Sequence, residues 1–442
     1  MFSSLKKLFG QGDSKPESPR AVAPERSPAP SGNLTFLRRE PIFDRANRLS
    51  GHLFHLRESS LTANAAVEPQ RAADQKLLET LCASPDAWDT TPAFIPLSSA
   101  SLDLAVLEQL GKSGVILLLQ LAPDAEAAFL CEVIDRLRER GIRFGVFRQP
   151  RNPAFAKVIA QVDFAVIDIG GNEAGSARDF SAAVRASRQA RPLQLLACNV
   201  ETPDDYRFCH QWHYEGFHGK FASLAPENLR ADPASDPHKA LLLNVLRLVQ
   251  GDAETAEIAE AIKQDPLLGF RILRYLNSPA LGLAHRIDSL SQALIILGRQ
   301  RLSRWLAVLL FSVREPDFGD WLMVENALTR GRLMEVLGER TLAGQSHDPL
   351  FLTGIFSCLD RLLRRPLSDI LNDIPVAEPI RQALLGRAGP YAPLLAVAEA
   401  SESSDAVQLA TAAQAAGITA DDVNSALLAA TAWASEVTEY WE

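Results

Sequence analysis

The chain has 442 residues, 47% of them hydrophobic, which is enough for two or three domains that each bury a core of their own. Its 45 basic and 54 acidic residues leave a formal charge of -9 and no basic run long enough to follow a phosphate backbone, so nucleic acid is excluded as a favoured partner. The five cysteines, Cys82, Cys131, Cys198, Cys209 and Cys358, are scattered and never form a CxxC pair, which suits reduced thiols in a cytoplasmic protein. The opening MFSSLKKLFG lacks the apolar run of a signal peptide, and no later stretch approaches membrane-spanning length.

In chain order, residues 1–32 hold five prolines and six serines and read as a disordered tail. Within it Phe2, Leu5, Leu8 and Phe9 share one helical face with Lys6 and Lys7 outside, the form of a short surface or partner-binding helix. From 33 to 224 apolar runs (LTFLRREPIF, GHLFHLR, AFIPL, GVILLLQL, IRFGVF, FAVIDI, LQLLAC) alternate with helical stretches such as DAEAAFLCEVIDRLRER. Runs that are apolar on both faces predict a parallel sheet covered by helices, closing toward a barrel of βα units. A proline-bearing linker follows at 225–237, and 238–442 carries helical patterns with no convincing strand.

The helical half has written punctuation. Asp265 is placed to cap a helix that Pro266 opens, while Asn277, Ser278 and Pro279 stop it. Ser289 caps the next helix, and Gly298 ends that one in the left-handed region. The wording around these caps (DPLL, LNSP, SLSQALIILG) resembles the HDOD domain, a helical relative of the HD phosphohydrolases found in bacterial signalling proteins. The resemblance makes Asp265, Pro266, Asn277, Ser278 and Gly298 structural or interaction signatures and not catalysts. HD enzymes need a histidine, an adjacent His-Asp and a further Asp. In this chain Ser357 and Cys358 stand at the His-Asp place, and the helix before it has no histidine. One literal pair, His347-Asp348, reads as a helix cap with Pro349 behind it.

The front half resembles an EAL domain, the barrel whose active members hydrolyse cyclic dimeric GMP with metal-bound water. The matching segments run in order from PIFDRANRLSGHLFHLR through FIPLSSASL, GVILLLQL, GIRFGVFR and VDFAVIDIG to NVETPDDYRFCHQWHYEGFHGKF. The resemblance implies oxygen ligands at strand ends. In their places stand Leu53, Pro96, Leu118, Phe147 and Arg148, with Val166 for a lysine and His218 for a glutamine. Asp168 and Glu201 stand in matching places, and Arg148 is positioned to meet a phosphate.

Two other groupings are weaker. Cys209, His210, His213 and His218 invite a zinc reading, but Thr202, Pro203, Asp204 and Asp205 write an ordinary helix start. Gly111 to Gly114 echoes a phosphate loop yet precedes a strand, which makes it a turn. The sequence therefore predicts a multidomain chain: a degenerate EAL-like TIM-type α/β barrel joined to an all-α HDOD domain. It is expected to be a non-enzymatic regulator that works through other signalling proteins, with no metal and no cofactor. Reception of cyclic dimeric GMP without hydrolysis is the alternative, and HD-type phosphohydrolysis the least favoured reading.

Overall fold

The computed structural model describes residues 36–56, 67–83, 91–110, 114–170, 174–187, 192–221, 237–265, 268, 269, 272, 273, 289–311, 318–342, 347–403 and 405–439. The tail, the Phe2 to Phe9 face and most of the linker lie outside these residues, as do Pro266, Asn277 and Ser278.

The front half is a closed barrel with strands in chain order: β1 (Leu37–Asp44), β2 (Leu49–Leu56), β3 (Ala93–Ser98), β4 (Val115–Gln120), β5 (Arg143–Phe147), β6 (Phe164–Asp168), β7 (Gln194–Cys198) and β8 (Gly216–His218). Each apolar run of the sequence became a strand. The all-parallel expectation needs correction, because β1 is antiparallel to both β2 and β8. Only four residues join β1 to β2, too few for a crossover helix, and Asp44 closes the turn by accepting from the N–H groups of Ala46 (2.8 Å) and Arg48 (2.9 Å). The eighth strand is three residues long and carries no run of its own to announce it.

Helices α1 (Val67–Cys82), α2 (Ala127–Arg138), α3 (Ala174–Ala186) and α4 (Pro203–Gln211) lie on the connections. The expected start of α4 is present as a capping box between Thr202 and Asp205. Inside the barrel, Ile42, Leu53, Phe94, Ile116, Leu118, Phe147, Phe164, Val166, Leu196 and Cys198 form one buried cluster. Two further clusters fill the space between sheet and helices.

The rear half is helical throughout its described residues: α5 (Pro237–Gln250), α6 (Thr255–Lys263), α7 (Leu290–Leu297), α8 (Arg299–Leu310), α9 (Phe318–Thr341), α10 (Asp348–Phe356), α11 (Leu359–Leu363), α12 (Leu367–Asp373), α13 (Glu378–Gly386), α14 (Ala392–Ala400), α15 (Ala406–Ala416) and α16 (Ala420–Glu439). Ser289 caps α7 as expected, its hydroxyl accepting from Gln292 N–H at 3.5 Å. Gly298 ends α7 at φ +74° but with an extended ψ of 161°, so it occupies a glycine-only region that differs from the left-handed helical slot expected. Asp348 is corrected too: it is the first residue of α10, with His347 at the N-cap position, and its carboxylate meets Arg304 Nη1 at 3.4 Å. Helices α9 and α10 cross at Gly331 and Gly354, where a Cβ on Gly354 would lie 2.6 Å from the Gly331 Cα.

The two halves share a surface. With a tight turn between β1 and β2, the barrel has no helix of its own on that connection, and α9 and α16 of the rear half cover it. Leu428 of α16 belongs to the barrel's outer cluster with Leu37, Phe54 and Leu56, while Phe36 belongs to the helical core. Asn424 accepts from the Leu37 N–H at 2.8 Å. A buried charge network closes the contact. Arg39 donates to Glu325 Oε1 at 2.8 Å and to Ser435 Oγ at 2.9 Å, and His52 Nε2 meets Glu325 Oε1 at 3.2 Å.

Candidate functional site

Strand pleating decides which residues reach the barrel's C-terminal mouth. Leu53, Leu118, Phe147 and Val166, which stand where the EAL resemblance implies ligands, point inward and merge into the interior hydrocarbon cluster. Above them, toward the mouth, Arg38 and Glu40 of β1 face inward together with His55 of β2 and His218 of β8. Arg38 and His55 are opposed in the β1–β2 register, and Ile42 is opposed to His218 between β1 and β8.

Glu40 organises this end. Its Oε1 accepts from Arg38 at 2.6 Å, and its Oε2 from His55 Nε2 at 2.8 Å and from His218 Nε2 at 3.1 Å. Burial alone would push the Glu40 carboxyl up, but the hydrogen bonds and charges of His218 and His55 hold it far below the usual carboxylate range. The two imidazoles are not equivalent. His218 Nδ1 accepts from the Asn199 N–H at 3.4 Å, so its Nε2 carries the donated proton. His55 Nδ1 faces the Leu56 carbonyl at 3.2 Å, so both of its nitrogens lie within hydrogen-bond distance of an acceptor.

Across the mouth, Asp168 ends β6 and accepts from Asn199 Nδ2 at 3.0 Å. Cys198 lies between the two sides, its thiol pushed up by burial and by the charges of Asp168 and Glu40, so it is a packed thiol and no nucleophile. Glu201, half exposed, pairs with Lys220 at 3.5 Å. Arg148 is placed differently from the expectation. It follows Phe147 on the opposite face of the pleat, and its guanidinium sits 6.0 Å from the ring centre of Phe180, outside the barrel. Asp168 thus belongs to the mouth, Glu201 lies at its edge, and Arg148 turns away.

The zinc grouping is not assembled. Cys209 is buried under α4 with its thiol pushed up to about 12 by burial, His210 stacks on Phe217, and His218 is held by Glu40. Among the described residues no group of three or more His, Cys, Asp or Glu could hold a metal ion. The side chains present therefore do not fit the divalent ions that the EAL resemblance implies, and no chemical step is derived through them.

In the helical half, the place expected for a His-Asp pair holds an arginine fork. Arg330 of α9 donates through Nη1 to Ser357 Oγ at 2.6 Å and through Nε and Nη2 to both oxygens of Glu402 at 2.7 and 2.6 Å. A second fork, Arg304 on Glu335, lies against the Phe351 ring at 3.8 Å. Asp265 caps the start that Pro266 was expected to open, accepting from the Leu268 N–H at 3.3 Å, and also meets His238 at 3.0 Å.

Residues 238–364 match the HDOD domain. Over 311 residues, 70% of each chain, the protein is 24% identical to the cyclic di-GMP phosphodiesterase CdgJ of Vibrio cholerae. It is 31% identical over 219 residues to the uncharacterised YuxH of Bacillus subtilis, spanning 49% of this chain and 53% of that one. Solved structures similar to part of the chain include Bacillus subtilis YkuI, which has an EAL domain, in complex with c-di-GMP and calcium (16% identity, TM-score 0.35, 44% of this chain and 56% of that one). Another is the EAL domain of Mycobacterium smegmatis DcpA (17% identity, TM-score 0.33, 42% and 90%). The phosphodiesterase name of CdgJ overturns the expectation that the chain is not an enzyme. No helix among the described residues is long and apolar enough to cross a membrane. The described structure therefore joins a closed eight-stranded barrel in front to a helical half whose residues 238–364 match the HDOD domain.

Proposed function

We propose that this chain acts in cyclic di-GMP signalling, with the barrel's mouth as the nucleotide site and the helical half as the part that passes occupancy on to protein partners. The observation that carries this reading is the grouping of Arg38, His55 and His218 around Glu40, facing Asp168, at the C-terminal end of a closed βα barrel. That end is where such barrels build their sites. Arginine and imidazole N–H donors suit the two phosphodiesters of a cyclic dinucleotide, and Asp168 offers an acceptor to the N–H edge of a guanine. CdgJ supports the nucleotide class by its name, and turnover is measured alongside binding.

Equilibrium dialysis with labelled cyclic di-GMP and magnesium, followed by chromatography of the nucleotide, reads binding and turnover together. Retention of the nucleotide by the protein, or its appearance in linear form, is the expected result. Nucleotide that is neither held nor changed removes the reading.

A further inference from the structure

We propose that the β1–β2 hairpin couples the barrel's mouth to the docking of the helical half, so that a ligand in the mouth is felt by α9 and α16. This rests on the mouth being the ligand site.

The hairpin faces both ways. Along β1, Arg38 and Glu40 point into the mouth, while Leu37 and Arg39 between and beside them point outward to the helices. Along β2, His55 points inward and His52 outward, each bonded to the same side's carboxylate: His55 to Glu40, His52 to Glu325. One strand step therefore separates a group that a ligand would meet from a group that holds the other domain.

The two sides differ in how they can respond. The outer network is dry: His52 is 1% exposed, and the Arg39 and Glu325 side chains are 7% and 9% exposed. Separating a buried pair leaves an uncompensated charge, so Arg39, Glu325 and His52 follow the backbone that carries them as one unit. The inner pair Arg38 and Glu40 is more open, at 20% and 22%, and a phosphate would compete with Glu40 for Arg38 and His55. Releasing Glu40 frees the restraint that ties β1 to β2 and β8 from inside. The response at Arg39 and at the Leu37 N–H is then delivered to Glu325 and Ser435 and to Asn424. By linkage, whatever changes the docking must change the affinity of the mouth by the same factor.

Hydrogen–deuterium exchange on the full chain, with cyclic di-GMP as probe and calorimetry alongside, tests this. On saturation the amides of Phe318–Thr341 and Ala420–Glu439 should change exchange rate by about fivefold or more, the lower range of measured couplings. Those of Glu378–Gly386 serve as the internal reference. Binding heat with unchanged exchange in both helices overturns the coupling and leaves the site assignment standing. Absence of binding heat overturns the site assignment instead, and Glu40→Gln then decides the coupling without any ligand. Altered exchange of the same two helices in that variant supports the hairpin's role, and exchange equal to wild type refutes it.

Discussion

The two halves bury charge in different places. In the barrel the interior is hydrocarbon from Ile42 to Phe147, and the ionisable groups collect at one end, where the buried His55 and His218 join the more open Arg38, Glu40 and Asp168. In the helical half two arginines are buried in the core and spent on carboxylates, Arg304 on the buried Glu335 and Arg330 on the more exposed Glu402. A charge group at the open end of a barrel can exchange its partners for a ligand's. A fork locked between helices can only hold them together. The barrel's open end is therefore where the proposed recognition is tested first.

Breaking the helical forks should have the largest effect on stability. Arg304→Met takes from the buried Glu335 its main partner and should lower unfolding free energy by about 3–5 kcal/mol in urea titration. A loss under about 1 kcal/mol would show that the fork is no more than a surface pair. In the barrel, Leu118→Ala opens a cavity in the interior cluster and should cost about 3 kcal/mol by the same measurement, without altering the charges at the mouth.

The contact between the halves adds a pH dependence. Burial, and then the Arg39 charge, lower the His52 pKa from 6.5 to about 4. The folded state keeps His52 neutral while the unfolded chain takes up a proton below 6.5. The stability His52 contributes is therefore complete above that pH and falls as pH drops from 6.5 to 4, by on the order of 2–3 kcal/mol. The carboxyls of Glu40 and Glu325, both lowered, lose their contributions only below their ordinary value of 4.5. Thermal unfolding of wild type and His52→Gln between pH 7 and 5 should show a decline in the first and a flatter profile in the second. Parallel profiles would place the titration elsewhere. The smallest effect belongs to the front half's helix start: Thr202→Ala removes the cap of α4 and should cost about 1 kcal/mol.

Local grammar in the sequence predicted local structure well. Thr202, Ser289 and Asp265 cap as their neighbours suggest, and the apolar runs are strands because a strand apolar on both faces has few other places to go. Long-range pairings were not legible. Glu40 lies 15 residues from His55 and 178 from His218, and only closure of the barrel brings the three together. His218 reads both as the replacement of an EAL glutamine and as part of a zinc grouping with Cys209 and His210, and the structure gives it Glu40 as partner. Arg330 on α9 and Glu402 in the turn after α14 are 72 residues apart and share no motif. Asp348 reads as a cap because Pro349 follows it, whereas His347 holds the N-cap position and Asp348 meets the buried guanidinium of Arg304.

The most direct measurement is a calorimetric titration of wild type and Arg38→Met with cyclic di-GMP. Arg38 lines the mouth and pairs with Glu40 without taking part in the interior cluster, so the variant should keep its fold. A saturable heat in wild type, weakened about tenfold or more in Arg38→Met through loss of a charged hydrogen bond, is the predicted result. No heat with wild type, or the same affinity in both proteins, would contradict the placing of the nucleotide at the barrel's mouth.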